Sequence, residues 1–214
     1  MRNAFNESEK AVVYRTIHQR RDVRSQFLPD PIPNEVLTRL LAAAHAAPSV
    51  GFMQPWDFIV IDDLTIRQRI KANYDSENSK AACNYSDSQH SLYTQLKLEG
   101  IVESPINVCI TCDRTRGGKH VLGRNSVIDM DLFSTCLAVQ NFWLAARAEG
   151  VGVGWVSILD HNHLSQQLNL PKNVYPLAYL CVGYVSEFLT EPELATKGWR
   201  QRLPLEQLIH YNQW

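Results

Sequence analysis

Apolar positions recur along the chain either at helical spacing or in short unbroken runs, and together they predict its elements in order. Val13 and Ile17, four apart among polar residues, predict an amphipathic helix over Glu9–Gln19. After the Pro29/Pro31/Pro33 connection, Asn34 is read as an N-cap, and Val36, Leu37, Leu40, Leu41 and Ala44 make the stripe of a second helix that stops at Pro48. SVGFMQPW is a turn-rich loop leading into a short strand, Phe58–Ile61. From Leu64 to about Ser91 the pattern is charged and weakly periodic, and it defines no element. SLYTQLKLEG predicts a helix ended by Gly100, INVCITC a buried strand, and DRTRGGKHVLGRNSVID a long loop. From Asp129, a second N-cap, a long helix runs to Gly150. It carries Leu132, Phe133, Cys136, Leu137, Trp143 and Leu144 on one face and Val139 and Phe142 on another, so it is buried on more than one side. VGVGWVSIL and YPLAYLCVGYV are apolar strands, with DHNHLSQQLNL a short helix between them. This order predicts an α+β fold, an α/β sandwich with a central sheet flanked by helices.

The chain has 214 residues, 45% of them hydrophobic, and no Pro/Gly/Ser-rich linker or charge block divides it. One domain over residues 1–214 is expected. Its 21 Lys and Arg are balanced by 22 Asp and Glu with the signs interspersed, which argues against a nucleic-acid partner held by phosphate neutralisation. The longest uncharged stretch, Leu40–Trp56, carries His45, Pro48, Gln54 and Pro55 and falls short of the roughly 20 apolar residues of a membrane helix. No membrane contact is expected. No apolar stretch follows Arg2, so no secretory leader is expected and the cytoplasm is the default compartment.

Five cysteines do not make a disulfide framework in such a chain. Cys109 and Cys112 spell C-x-x-C, but inside an apolar strand positions three apart point to opposite faces, so core packing is the expected role. His161 and His163 read as the polar first turn of a helix rather than a metal site.

Arg20, Arg21 and Arg24 lie within five residues, and three guanidinium forks suit a phosphate; a solvated basic helix end is the plainer alternative. Asp22 among them should have its carboxyl held below the ordinary range and stay ionised, as either a structural partner or a placed catalytic carboxylate. The loop from Ser49 to Trp56 has the glycine and amide groups to meet a planar heterocycle, or is a plain turn. In Gly150–Ser157, glycines at alternate positions leave one strand face bare, so that something flat could approach it. The run lacks the spacing of a dinucleotide fingerprint, and Gly117-Gly118-Lys119-His120 fails the P-loop pattern. Arg200 and Arg202 add charge near the end, where a solvated surface is the alternative.

In order, RRDVR, APSVGFMQPW, TCDRTRGG, AVQNFWLAARAEGVGVGWVSI and GWRQRLPLE resemble the nitroreductase-like flavoproteins, and within them the 5,6-dimethylbenzimidazole synthase branch. The resemblance runs from about Ala11 onward; Ala72–Ser91, where such enzymes place part of a lid, matches nothing specific. It implies a nitroreductase-like sandwich with a mostly antiparallel sheet, and a homodimer with the flavin site at the subunit interface. Reduced FMN would be the substrate and dioxygen the co-substrate, with NAD(P)H acting only through a separate flavin reductase and no metal. The products would be dimethylbenzimidazole, the lower ligand of cobalamin, and erythrose 4-phosphate.

By the same resemblance, Arg20, Arg21, Asp22, Val23, Arg24 and Arg202 would hold the phosphate and ribityl end. Ser49, Gly51, Met53 and Gln54 would lie near the ring or chain, and Val156 and Ser157 would meet the isoalloxazine. Asp22 and Ser157 would be the catalytic pair, a base and a hydrogen-bond partner. Two alternatives stay open. One is an FMN-dependent NAD(P)H nitroreductase or dehalogenase-like reductase that recycles its flavin, and the other an FMN carrier with no need of an acid at position 22.

Overall fold

A computed structural model describes residues 3–214, apart from the side chain of Asp87. The first helix, α1 (Glu7–Gln19), starts at Asn6, whose side chain accepts from the Glu9 amide at 3.0 Å while Glu9 reaches back to the Asn6 amide at 2.9 Å. This capping box satisfies two otherwise orphaned donors. No residue of α1 is buried; its stripe of Val13 and Ile17 faces out of the single chain.

α2 (Asn34–His45) buries Val36, Leu40 and Ala44 as the stripe predicts. Asn34 is its first residue rather than its cap, since Pro33 holds the cap position and no side chain bonds there. The loop that follows tightens into a short 3₁₀ turn, Val50–Phe52, before β1 (Trp56–Ile61).

The weakly periodic region forms α3 (Leu64–Ala82) and α4 (Asp87–Thr94). Asp63 caps α3 by accepting from the amides of Thr65 and Ile66. The helix expected to end at Gly100 stops at Thr94. Gly100 is required for close approach, because a Cβ there would lie 2.6 Å from the Phe27 ring and 2.7 Å from the Arg24 carbonyl oxygen.

β2 (Ile106–Asp113), α5 (Met130–Ala148), β3 (Val151–Val156), α6 (His161–Gln167) and β4 (Val174–Tyr184) follow, then the single turn α7 (Glu193–Thr196). Asp160 caps α6 through the His163 amide, so the two histidines do lie in a polar first turn. Asp129 precedes α5 but pairs with Arg114 at 2.8 Å instead of capping.

The strands form one antiparallel sheet in the order β1-β2-β4-β3. Side chains alternate across it. Val108, Ile110, Ala178, Leu180 and Val182 face α2 and α5, and Cys109, Tyr179 and Cys181 face the layer that holds Ile70, Tyr74 and Leu164. Helices on both faces explain why β2 and β4 read as unbroken apolar runs. Cys109 and Cys112 are both buried free thiols, and burial pushes the Cys109 thiol up to about 12.

Helix α5 turns Ala138, Val139, Phe142 and Ala146 into the core and leaves Phe133, Cys136 and Leu137 exposed. Among the described residues no helix is long and apolar enough to cross a membrane.

Candidate active site

The bare face of β3, which the sequence left open to something flat, is covered at Gly152 and Gly154 by the chain itself. Residues 22 and 23 run parallel to the strand, bridged through Asp22 and Val153, and the Val23 amide donates to the Val153 carbonyl at 3.0 Å. A Cβ on Gly152 would lie 3.1 Å from Val23 Cγ2, and one on Gly154 only 2.0 Å from the Val23 carbonyl oxygen. The alternate glycines let the segment leaving α1 dock on the edge of the sheet.

Docking fixes Asp22 from two sides. Its Oδ1 accepts from the Trp155 amide at 3.0 Å, and its Oδ2 accepts from Arg24 Nη2 at 2.6 Å. Contrary to the expectation from the neighbouring arginines, burial pushes the Asp22 carboxyl above its ordinary range, outweighing the opposite pull of Arg24 and the Trp155 amide. Ser157 is exposed one residue past the end of β3, two residues beyond Trp155 and so about 7 Å further along the strand. The side chains of Val23 and Val156 are buried, and both residues pair through their backbones, Val23 with Val153 and Val156 with Tyr179 of β4.

The three neighbouring arginines do different work. Arg21 donates to the carbonyls of His18 at 2.8 Å, of Arg20 at 2.7 Å, and of Thr190, tying the C-terminal arm to the end of α1. Arg24 is buried between Asp22 and Glu193. Arg20 lies half-buried over the Trp143 ring, 4.7 Å from its centroid, with no hydrogen-bond partner among the described residues. Burial pushes the Arg20 guanidinium below its ordinary range; Asp22 opposes this, and the nearby charges of Arg21 and Arg202 add to it. Neither the Arg20 nor the exposed Arg202 guanidinium has an ion pair or hydrogen-bond partner among the described residues, and each carries a charge that the other feels. Such a pair fits a phosphate, and the anion would relieve their repulsion.

The other predicted half of the site lies elsewhere. Ser49 Oγ accepts from the Gln54 amide at 3.0 Å, and the Val50 amide donates to Ser134 Oγ at 3.0 Å. Gly51, Phe52 and Gln54 all have positive φ, a concentration of left-handed backbone in which two members carry side chains. Gly51 also packs on the 113–129 loop, where a Cβ would lie 2.7 Å from Val121 Cγ1. Met53 is buried and Phe52 exposed.

This loop enters β1, one edge of the sheet, whereas Asp22 sits on β3, the other edge. Four strand spacings separate β1 from the docked Asp22 segment, about 19 Å across the sheet. Along α5 their anchors, Ser134 and Trp143, are about 13 Å apart. One chain therefore assembles Arg20, Asp22, Val23, Arg24, Val156, Ser157 and Arg202, with Arg21 tying this group to the C-terminal arm, and holds Ser49, Gly51, Met53 and Gln54 apart from it.

Residues that sequence reasoning passed over complete the first group. Trp143 Nε1 donates to the Arg21 carbonyl at 3.2 Å, and Trp199 packs on Tyr85 and Tyr93, at centroid distances of 5.2 and 6.1 Å, bringing the C-terminal arm against α4. Glu193 comes in at the start of α7. Trp199 stood inside a motif that drew attention to its arginines alone, and nothing in the sequence pairs Glu193 with Arg24.

The chain thus carries an arginine-flanked segment docked on the edge of a helix-covered antiparallel sheet. It belongs to the Nitroreductase family, which residues 17–184 match. Within it, the chain is 40% identical to the 5,6-dimethylbenzimidazole synthase of Rhodospirillum rubrum over 185 residues, 86% of this chain and 87% of that one. It is 37% identical to the enzyme of the same name from Rhodobacter capsulatus, over 94% and 97% of the two chains. The crystal structure of oxidized iodotyrosine deiodinase bound to FMN and 3-iodo-L-tyrosine has the same fold, with a TM-score of 0.74 at 19% identity over 94% of this chain and 100% of that one.

Proposed function

We propose that the protein is a 5,6-dimethylbenzimidazole synthase that converts reduced FMN and dioxygen to dimethylbenzimidazole and erythrose 4-phosphate, with reduced FMN delivered by a separate flavin reductase. The placement of Asp22 carries this reading: a carboxylate held by the Trp155 amide and Arg24, with burial raising its proton affinity, beside the two cations free to take a phosphate. A reductase that recycles its flavin needs no base there.

Bound reduced flavin supplies the oxygen activation itself. The chain's residues do the rest. Arg20 and Arg202 hold the phosphate, and Asp22 accepts a proton at Oδ2, the oxygen it shares with Arg24. Ser157, exposed at the end of the same strand, donates or accepts a hydrogen bond beside the reacting ring.

The site is completed in a homodimer. The exposed faces of α1 and α5 supply apolar surface of the kind an obligate interface divides, and a second copy can bring its own Ser49–Gln54 loop to the Asp22 edge, which the first copy's loop does not reach. The test is to incubate the protein with FMN, a flavin reductase and NADH in air and to measure dimethylbenzimidazole by mass spectrometry. Absence of product alongside flavin oxidation would favour the reductase.

A further inference from the structure

Arg24 stands between two carboxylates. Its Nη2 donates to Asp22 Oδ2 at 2.6 Å, and its Nη1 lies 3.8 Å from Glu193 Oε2. The side chains of Arg24 and Glu193 are only 11% and 12% exposed, and Glu193 Oε2 is buried with no hydrogen-bond partner. A buried, unbonded carboxylate oxygen is costly unless something compensates it, and the only cation it is paired with among the described residues already serves Asp22. The position is not accidental slack. The preceding arm is tied down by Arg21 at Thr190, and the following one by Trp199 against Tyr85 and Tyr93.

We infer that Glu193 is a positioning residue that shares Arg24 with Asp22 and takes over the guanidinium when Asp22 Oδ2 accepts a proton. This rests on the reading of Asp22 as the base. When the substrate's proton forms an O–H bond on Oδ2, the electron pair of the broken bond stays with the substrate and Asp22 ceases to neutralise Arg24. A buried guanidinium left beside a neutral acid would oppose that transfer. Glu193 removes the opposition, because closing the Nη1–Oε2 distance to hydrogen-bond range needs a shift of about 1 Å. The other titratable groups whose charges reach Asp22 or Arg24 are Arg20 on the same segment, Tyr74 on α3 and Cys181 on β4. None of them is a carboxylate able to replace Glu193.

The test is a carbon-13 carboxyl titration of the flavin-free enzyme by NMR, alongside product formation. In Glu193→Gln, Arg24 belongs to Asp22 alone, and the Asp22 midpoint should fall by about one pH unit while dimethylbenzimidazole forms about three- to tenfold more slowly at equal flavin occupancy. Glu193→Asp, which keeps the charge, should restore most of both. In the wild type, the Glu193 resonance should move at the Asp22 midpoint, as coupled sites do. That measurement decides the matter even if the glutamine variant fails to fold. An unchanged Asp22 midpoint in folded Glu193→Gln, or a wild-type Glu193 signal indifferent to Asp22, overturns the inference. Failure of the wild type to make dimethylbenzimidazole overturns the reading of function instead, and leaves the titration result standing.

Discussion

Gly154 and Val23 are in contact that only a glycine permits: any side chain at 154 would put its Cβ 2.0 Å from the Val23 carbonyl oxygen. The obstacle is backbone, so it cannot rotate away. Gly154→Ala should push the 20–24 segment off β3, costing about 1–3 kcal/mol of stability as an overpacked site does. Urea unfolding measures the first effect and FMN titration the second, a weakened affinity. A variant equal to wild type in both would mean that the segment can dock elsewhere.

Asp22→Asn keeps shape and the hydrogen bond from Trp155 but removes the proton acceptor. We expect reduced FMN to bind and to reoxidise in air while dimethylbenzimidazole per flavin oxidised drops by about 10²–10⁴-fold. Equal yields at matched occupancy would exclude Asp22 from the chemistry.

The same substitution has a pH signature in stability. Burial lifts the folded Asp22 carboxyl above its ordinary value of 3.8, so the folded chain holds this proton more tightly than the unfolded one. The resulting stabilisation is complete below that ordinary value and is lost as pH rises through the folded one. Relative to wild type, Asp22→Asn should therefore gain stability as pH rises above the ordinary carboxyl value and through the raised folded one. A constant difference across that range would mean that Arg24 and the Trp155 amide fully offset burial.

Arg20 and Arg21, adjacent in sequence, should separate in experiment. Arg20→Ala removes an uncommitted cation, and FMN affinity should fall about tenfold to a hundredfold with little change in unfolding. Arg21→Ala strips donors from three carbonyls and should cost about 1–3 kcal/mol of stability. Loss of affinity without loss of stability in Arg21→Ala would show that it, too, meets the phosphate.

Leu137 lies on the outward face of α5, 46% exposed in the single chain. Leu137→Glu should leave the chain's own fold intact by circular dichroism, convert a dimer to a monomer in sedimentation equilibrium, and abolish tight FMN binding. A wild-type monomer at micromolar concentration would remove the interface site.

Much of this architecture is legible in the chain, and the exceptions have physical causes. β2 and β4 announce themselves because both faces are buried, and α2 because its stripe is wholly apolar. α3 does not, because its buried positions are Arg67, Ile70, Asn73 and Tyr74. Arg67 spends its guanidinium on the carbonyls of Ser104 and Ile101, and Asn73 exchanges hydrogen bonds with the Asp160 backbone. A core-facing polar group satisfied by distant backbone looks, in sequence, like a solvated one. Asp63 was the available clue to where α3 begins.

The Asp22 segment was legible as a cluster of charged groups, but its division of labour was not. Which arginine is free depends on Trp143, Thr190 and Glu193, and no local pattern encodes those contacts. The glycines of β3 mark close approach in the sequence, and what approaches them is a strand-like stretch of the same chain.

The tie between Arg21 and Thr190 spans 169 positions. Closing so long a loop comes late in folding, since its entropy is lost before any contact rewards it. On a chain emerging from the ribosome with its N-terminus first, residues 20–24 are made before β3 can provide an edge and before Thr190 and Glu193 can hold Arg21 and Arg24. A polypeptide held short of Thr190 lacks both the tie on Arg21 and the second carboxylate beside Arg24.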